Sequence, residues 1–347
     1  MRGLFTAVVK PSPSPPRLAI AIQAGIAMLL VVGLPSLAGQ SRLGLLASTG
    51  ALSALYLSAR SRRERIRRLP LVQLGLLVSV ALGAATGGNR IAAPIVLAVV
   101  AVGAVVLVSA TAVGPPGALF PVLAAGVSSR LVGPVSVGGD GLSPLLVIEC
   151  TAAGAAFAFL VVVAPLIVPA VRRRDRERPV TTLRFALDAN SRTVVARVSV
   201  AAVIASALAA GLGLQRGYWV VVAVVAVLQA GRGRRLSGVR AVHRVVGTLV
   251  GAGVFVLAAT LLGLPAAGIL LAVVLGALQF GAEMVVVRHY GIALLFVTPL
   301  ALLIAEAGSP GDPWLIAGTR VLDTAIGCAI ALLVLLGDRL LTRPRST

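Results

Sequence analysis

Twelve apolar stretches, separated by short polar or basic loops, run along almost the whole chain. A helix needs roughly 20 apolar residues to cross the hydrocarbon core of a bilayer, and we treat each stretch as a candidate span although several are shorter. In the first half of the chain the candidate spans are 18–35, 43–59, 71–87, 91–111, 117–131 and 142–168. In the second half they are 194–214, 218–230, 245–262, 266–280, 290–305 and 314–336. This pattern predicts an all-α membrane protein of about twelve transmembrane helices.

The composition of the chain favours the same fold class. It is 58% hydrophobic, has a mean hydropathy of +1.02 and contains only 12% charged residues, which excludes a soluble globular domain. The net charge of +20 is carried mostly by arginines in loops between apolar spans, so the expected partner is the lipid bilayer and not nucleic acid. With only two cysteines and two histidines, we expect no metal and no other cofactor.

The arginines fall mainly on one side of the predicted spans. That side receives six arginines between positions 60 and 68, eight between 172 and 197, and five between 232 and 244. The other side receives only Arg42, Arg90, Arg130 and Arg216. Because cytoplasmic loops carry the excess of positive charge, this asymmetry predicts a multi-pass protein of the cell (plasma or inner) membrane with both termini in the cytoplasm.

The two halves of the chain resemble each other in the spacing of several residues. Pro121 and Pro299 are separated by 178 positions, and Cys150 and Cys328 by the same number. We therefore predict two parallel six-helix repeats, related by an axis along the membrane normal. The predicted organisation is a disordered cytoplasmic N-terminus (1–16), the first repeat (17–171), a basic cytoplasmic linker (172–193), the second repeat (194–338) and a cytoplasmic tail (339–347). Part of the linker, 181–191, is either a short interfacial helix or a solvated connection.

The aromatic pair Tyr218 and Trp219 begins a stretch with the pattern of a helical hairpin. The pair is typical of residues that anchor a helix at a membrane interface. A basic loop, 232–244, then separates the first helix of the hairpin from the second. The second helix carries Gly247 and Gly251, a spacing that indicates close packing against another helix.

The hairpin and two later segments share the order of their motifs with a known family. The motifs are Tyr218-Trp219, Val227-Leu228-Gln229, Arg240-x-x-x-Arg244-x-x-Gly247-Thr248-x-x-Gly251, Tyr290-Gly291 with Thr298-Pro299, and Arg320-x-x-Asp323-Thr324. Between about 181 and 338 the chain therefore resembles the fusaric acid resistance-like (FUSC, aromatic acid exporter) family of integral membrane proteins. The resemblance implies an efflux transporter for small aromatic or other organic acids.

A few ionisable residues lie inside the predicted spans, where each needs a partner or a function. Arg320 and Asp323 lie three residues apart on one face of the last span, with Asp323 close to the bilayer midplane. Either Arg320 attracts a substrate carboxylate while Asp323 exchanges a proton, or the two form a neutralising structural pair. Glu149, in the sixth span, lies at nearly the depth of Asp323. It is either a second buried proton site or an acid bonded to a neighbouring helix.

Five more residues complete the set of substrate or proton candidates: Arg244, Thr248, Tyr218, Trp219 and Gln229. Arg244 and Thr248 lie four residues apart on one helix, where the arginine meets either an entering anion or lipid phosphate. The alternative for the aromatic pair is interface anchoring, and the alternative for Gln229 is an interhelical hydrogen bond.

These residues and the resemblance together predict a secondary transporter that exports small organic anions. A proton gradient is the expected driving force, because the chain has no nucleotide-hydrolysis motif. The second hypothesis is a non-transporting membrane scaffold for envelope or lipid processes, in which the same charges are structural. We expect no catalytic residues and no enzyme activity, and a homo-oligomer is compatible with either hypothesis.

Overall fold

The regular structure of this chain is helical throughout the part that the computed structural model describes, which is residues 13–15, 17–178, 180, 185–262, 268–305 and 311–341. These residues form thirteen α-helices: α1 (Leu18–Leu37), α2 (Ser41–Ala51), α3 (Arg62–Thr86), α4 (Ala92–Thr111), α5 (Leu119–Val132), α6 (Pro144–Val163), α7 (Pro169–Arg176), α8 (Ala189–Gly211), α9 (Tyr218–Leu228), α10 (Arg234–Leu262), α11 (Ile269–Val285), α12 (Tyr290–Ala305) and α13 (Pro313–Leu341). Short 3-10 segments follow α2, α5 and α6: Leu52–Leu55, Val135–Val137 and Ala164–Ile167. The predicted all-α fold class is confirmed.

Seven of these helices, α1, α3, α4, α6, α8, α10 and α13, are long and apolar enough to cross a membrane. Four more, α5, α9, α11 and α12, are apolar but only 10–17 residues long, and α2 has 11 residues. Each predicted span overlaps one of these twelve helices. The chain is therefore a multi-pass membrane protein. The number of crossings and the cytoplasmic position of both termini stay predictions, and most of the predicted N-terminal segment and tail lies outside the described residues.

Carboxylate caps fix where two of the long helices begin. The Asp175 carboxylate accepts hydrogen bonds from the backbone N–H groups of Arg62 and Arg63 at 2.7 and 3.0 Å, which ties α7 to the start of α3. The Asp188 carboxylate accepts a hydrogen bond from the Ser191 backbone N–H at 2.7 Å. This bond, aided by the Ser191 hydroxyl, lowers the pKa of Asp188. Because the cap satisfies first-turn donors, α8 begins directly after Asp188.

The structure changes two expectations about the connecting segments. Residues 185–188 of the linker are not helical, so this described part does not form the interfacial helix, while 181–184 lie outside the described residues. The predicted basic loop is wrong, because α10 begins at Arg234, about three turns before the predicted start at Val245. Val239 and Ala241 are buried on these added turns, so packing continues the helix through the arginines.

The helices pack in equivalent pairs in the two halves of the chain. In the first half α2 packs on α6, and α3 packs on both α5 and α6. In the second half α9 packs on α13, and α10 packs on both α12 and α13. Between the halves, α1 packs on α11 and α4 packs on α8. Each of these named pairs has its counterpart at the same place in the helix order of the other half.

Glycines allow two of these helix pairs to approach backbone to backbone. A Cβ atom at Gly154 on α6 would lie 1.9 Å from the Ala47 carbonyl oxygen on α2. A Cβ atom at Gly251 on α10 would lie 2.5 Å from the Leu294 carbonyl oxygen on α12. No side chain fits into such a gap, so the predicted packing role of Gly251 is confirmed.

Helix α9 occupies the interior of the second half. All 11 of its residues are buried, and it contacts α4, α5, α8, α10 and α13. At about 1.5 Å per residue it is only about 16 Å long, roughly half the thickness of a hydrocarbon core. Its uniformly apolar sequence suits a helix that is enclosed by other helices on every side.

Candidate functional site

A buried arginine and a buried tryptophan stack where α13 meets α9. The guanidinium carbon of Arg320 lies 3.6 Å from the centre of the Trp219 ring, and the two residues are 2% and 1% exposed. The face of an aromatic ring carries partial negative charge, which attracts a cation placed above it. The ring offers no hydrogen-bond acceptor of the strength of a carboxylate, so the guanidinium is only partly compensated.

The donors of this arginine are largely unused. The Nε and Nη1 atoms of Arg320 are buried and have no hydrogen-bond acceptor in the described part of the chain. Arg244, on α10, is also buried; its Nη1 donates to the Tyr290 hydroxyl at 2.9 Å, whereas its Nε has no acceptor among the same residues. The charges of Arg244 and Arg320 lie close enough to repel each other. Two buried guanidiniums therefore present free N–H donors in one region.

Three buried threonine hydroxyls on the neighbouring helices are also unpartnered. Thr248 on α10, Thr298 on α12 and Thr324 on α13 are fully buried, and none of their hydroxyls has a hydrogen-bond partner within the described ranges. Five helical threonines elsewhere in the chain donate to the carbonyl four residues earlier, and Thr86 donates to the carbonyl three residues earlier: the five are Thr111, Thr151, Thr193, Thr260 and Thr319. Thr248 shares α10 with Arg244 and Thr324 shares α13 with Arg320, while Thr298 lies on α12, which packs on α10. We call this set, Trp219, Arg244, Arg320, Thr248, Thr298 and Thr324, the polar cluster.

Asp323 is buried on α13 and makes no direct salt bridge to Arg320. It is 3% exposed, and its charge is within range of both Arg320 and Arg216. Between the described side chains, no salt bridge of 4.0 Å or less joins Asp323 to Arg320. Arg320 stacks on Trp219, and although the charges of Arg320 and Asp323 attract each other, the two side chains form no direct ion pair.

Glu149 lies outside this arrangement. Its side chain is exposed on α6, whereas Asp323 is buried on α13. A carboxylate on an exposed helix face is not enclosed by protein, so the structure does not form the predicted central site from these two acids.

The aromatic pair is not placed at an exposed interface. Tyr218 and Trp219 are both buried, with ring centres 4.8 Å apart. Gly126 on α5 makes room for the tyrosine, since a Cβ atom there would lie 2.3 Å from the Tyr218 Cβ. The interpretation of the pair as interface anchors is therefore wrong, because α9 is enclosed and offers no lipid-facing side.

Gln229 holds a loop of the first half. Its side-chain oxygen accepts a hydrogen bond from the Ala118 N–H at 3.0 Å, and its side-chain nitrogen donates to the Pro116 carbonyl at 3.0 Å. The Tyr56 hydroxyl donates to the carbonyl of Gly117 in the same loop at 2.6 Å. Both ends of the Gln229 amide are thus engaged in positioning the start of α5, which fits the interhelical alternative for this residue.

A cavity of about 450 Å³ opens beside the polar cluster. It lies between the C-terminal end of α3, the start of α4, α5 and the C-terminal end of α8. Arg90, Arg130, Gln215 and Tyr218 are among the side chains that line it. Its volume is within the range of small-molecule sites, which run from roughly 300 to 1,000 Å³. Tyr218 lines the cavity, its ring packs on Trp219, and Trp219 stacks on Arg320, so two rings connect the cavity to the arginine.

The first half also contains a buried arginine, Arg65, whose two Nη atoms donate while its Nε has no acceptor in the described part of the chain. Arg65 on α3 donates from Nη1 to the Gln23 side-chain oxygen at 3.2 Å and from Nη2 to the Ala54 carbonyl at 2.5 Å. Gln73 donates to the Ser53 hydroxyl at 2.9 Å and to a carbonyl on α6. The Gln23 and Gln73 side chains thus connect neighbouring elements of the first half. The sequence did not single out Arg65, because the spacing of a basic run does not show which member points inward.

Metal ligation has no obvious place in the structure. No group of three or more His, Cys, Asp or Glu side chains comes together in the residues that are described. The chemistry of the polar cluster is that of cationic donors and hydroxyls, which bind anions and not metal ions.

Comparison with known proteins confirms the resemblance that the motifs predicted. Residues 201–334 match the sequence model of the family described as fusaric acid resistance protein-like. The uncharacterized membrane protein YvaC of Bacillus subtilis (strain 168) is 34% identical over 170 residues, which are 48% of this chain and 26% of that protein. The chain thus spans well under half the length of this relative. No solved structure matches the chain. The matched region includes every member of the polar cluster.

Proposed function

We propose, from the match to the fusaric acid resistance-like family, that this protein is a secondary transporter for small organic anions. The observation that carries the proposal is the pair of buried arginines, Arg244 and Arg320, whose Nε donors have no acceptor in the described chain. A buried charge without a hydrogen-bonding partner is costly, and a substrate carboxylate supplies both the missing charge and the missing acceptors.

The polar cluster has the components of a carboxylate site. The two guanidiniums donate charge-assisted hydrogen bonds, and the hydroxyls of Thr248, Thr298 and Thr324 are available to the same anion or to bound water. The stack of Arg320 on Trp219 keeps the guanidinium inside the protein and away from the lipid. The family match and the neighbouring rings of Tyr218 and Trp219 favour an aromatic acid as the substrate.

The proposed path runs through the cavity that Tyr218 lines. We propose that the two halves are parallel six-helix repeats with both termini in the cytoplasm of the cell membrane, and the equivalent helix pairs of the two halves support this arrangement. In that orientation the C-terminal end of α8 faces outward, so the cavity is the exit side of an exporter. The polar cluster lies in the second repeat, whereas in the first repeat both Nη atoms of the buried Arg65 are bonded within the protein.

Asp323 is the acid that we propose to couple transport to a proton gradient. It is buried one helical turn from Arg320, without a salt bridge to it. Because the charge of Arg320 acts on Asp323, the protonation of Asp323 is linked to whether a substrate carboxylate occupies that arginine. The exposed Glu149 has no part in this proposal.

Flux through reconstituted protein tests the proposal. Proteoliposomes are loaded with labelled benzoate, an imposed pH gradient drives exchange, and the initial rate is measured. Arg320→Gln and Arg244→Gln are each expected to lower the rate at least about tenfold, the value of one charge-assisted hydrogen bond. Arg339→Gln, on an exposed position of the same helix as Arg320, is the matched control and should leave the rate unchanged. No flux of any aromatic or aliphatic acid through wild-type protein would favour the scaffold hypothesis.

A further inference from the structure

We infer that a second pocket, where α8 and α10 begin and α13 ends, binds a phosphate group. This pocket has a volume of about 550 Å³ and is lined by Thr193, Arg197, Arg232, Arg234 and Asp338. It lies at the opposite end of α8 from the cavity described above, which is lined by the last turns of that helix. We call it the arginine pocket.

The lining of the arginine pocket is positively charged. It has three guanidiniums and one carboxylate. One oxygen of that carboxylate, Asp338 Oδ2, accepts from Arg197 Nη2 at 2.6 Å and from Arg234 Nη2 at 2.8 Å. A single carboxylate thus offsets only part of the charge of three arginines, and an excess of positive charge stays in the pocket.

The protein does not satisfy every donor of the arginines that line the pocket. Arg197 is buried, and its Nη1 donates to the Arg232 carbonyl at 2.9 Å, but its Nε has no acceptor among the residues that the structure describes. The Arg232 side chain is exposed, and its contact with the Asn190 side-chain oxygen is long, at 3.4 Å. A buried arginine donor without a partner indicates that an acceptor of another molecule completes the site.

A helix terminus adds to the attraction for an anion. Arg234, which lines the pocket, is the first residue of the 29-residue helix α10. The first backbone N–H groups of a helix have no acceptors within it, and they carry partial positive charge that favours phosphate. Guanidiniums from two helices and a preceding loop, together with this terminus, present donors from several directions. Such a set suits the tetrahedral oxygens of a phosphate better than a planar carboxylate.

The place of the pocket defines two sources for the phosphate. The pocket lies at the ends of α8, α10 and α13, three helices long and apolar enough to cross a membrane, so in the proposed arrangement it is at the level of lipid headgroups. An anionic lipid reaches the pocket from the bilayer, and a free phosphate compound reaches it from the water. The chemistry at the arginines is the same in both cases, and binding measurements separate the two.

The test uses the full chain in nanodiscs made of phosphatidylcholine alone or with added phosphatidylglycerol. Binding of inorganic phosphate to the first preparation is measured by isothermal calorimetry. Retention of phosphatidylglycerol after extraction is measured by native mass spectrometry. Arg232→Gln and Arg197→Gln are each expected to lower the affinity for phosphate or phosphatidylglycerol about tenfold. Arg192, an exposed neighbour on α8, does not line the pocket, so Arg192→Gln is expected to leave the affinity unchanged.

Asp338→Asn should raise the affinity for phosphate, in contrast to the two arginine variants. It removes the carboxylate that competes for Arg197 and Arg234, so phosphate should bind more tightly although the helix ends lose an ion pair. Saturable binding of inorganic phosphate identifies a free compound as the ligand, and selective retention of phosphatidylglycerol identifies a lipid. Absence of both, equal binding of acetate, or unchanged binding in both arginine variants overturns the inference.

Discussion

The guanidinium carbon of Arg320 lies 3.6 Å above the centre of the Trp219 ring, with both side chains almost completely enclosed by protein. The two residues belong to different helices of the same buried pair, α9 and α13. The contact therefore fixes the position of the Arg320 guanidinium that the proposed substrate binds. The same contact also contributes to the stability of the fold.

Removing the ring should destabilise the protein. We expect Trp219→Leu to lower the free energy of unfolding by about 3 kcal/mol, because the buried cation loses its aromatic partner and the core loses volume. Trp219→Phe keeps an aromatic face and should lose less. Unfolding in detergent is followed by circular dichroism at the helix band. Trp314→Leu is the control, since Trp314 is 71% exposed and should change stability little. Equal effects at both tryptophans would contradict the importance of the stack.

The glycine at the contact of α2 and α6 should tolerate no side chain. In Gly154→Ala the new methyl group would meet the Ala47 backbone at 1.9 Å, so the helices must separate, at a cost of about 2 kcal/mol or more. Gly75→Ala, on α3, is the matched control because no atom lies within 4 Å of the new methyl group. It should be neutral or stabilising by up to about 1 kcal/mol. The measurement is the thermal unfolding temperature of the two variants. A Gly154→Ala protein as stable as the unchanged protein would contradict the close contact of α2 and α6.

An ion pair between α1 and α11 should show energetic coupling. Arg17 Nη1 lies 3.0 Å from Glu283 Oε2, and the glutamate is buried. Arg17→Gln or Glu283→Gln leaves one charge unpaired and should cost about 1–3 kcal/mol. The double variant should cost less than the sum of the two single changes, because neither charge is then left alone. Denaturant unfolding of all four proteins gives the coupling energy, and strictly additive costs mean that the two groups do not interact.

Gln229 should affect stability and not substrate affinity. Gln229→Leu removes both hydrogen bonds to the loop at Pro116 and Ala118, which should cost about 1–3 kcal/mol. The flux assay should give an unchanged KM for benzoate, because both ends of the Gln229 amide are occupied by the loop. A KM that rises tenfold while the unfolding temperature stays the same would assign this residue to the substrate site instead.

Cysteine labelling tests the predicted orientation. In a Cys150→Ala, Cys328→Ala background, single cysteines replace Arg42 and Arg192, which are both exposed. The distribution of arginines predicts that an impermeant maleimide labels position 42 in intact cells and position 192 only after permeabilisation. The reverse pattern, or labelling of both positions in intact cells, excludes the predicted arrangement of both termini in the cytoplasm.

The helices could be predicted because the linear pattern of apolar residues is sufficient to indicate them. A run of apolar residues specifies a helix in a membrane protein whatever its neighbours are, and the twelve predicted spans each overlap a helix. The close helix contact at Gly251 was also predictable, because the spacing of small residues indicates a packed helix face. The extension of α10 back to Arg234 was missed, because arginines next to a span suggest a loop although they are good helix formers.

The direction in which a side chain points depends on which helices surround it, and the sequence does not contain that information locally. Tyr218 and Trp219 have the composition of interface anchors but are enclosed, because α9 has neighbours on every side. Glu149 and Asp323 lie at comparable depths in their spans, yet one is exposed and the other buried. The free donors of Arg244 and Arg320 emerge only when partners are sought in three dimensions.

The enclosure of α9 separates it from the lipid altogether. A bilayer of different thickness acts on helices that it touches, by tilting them or by exposing their ends. Since every side chain of α9 is covered by protein, such forces reach it only through α4, α5, α8, α10 and α13. The segment that carries Trp219 is thereby insulated from hydrophobic mismatch, and the geometry around Arg320 should be the same in thin and in thick membranes.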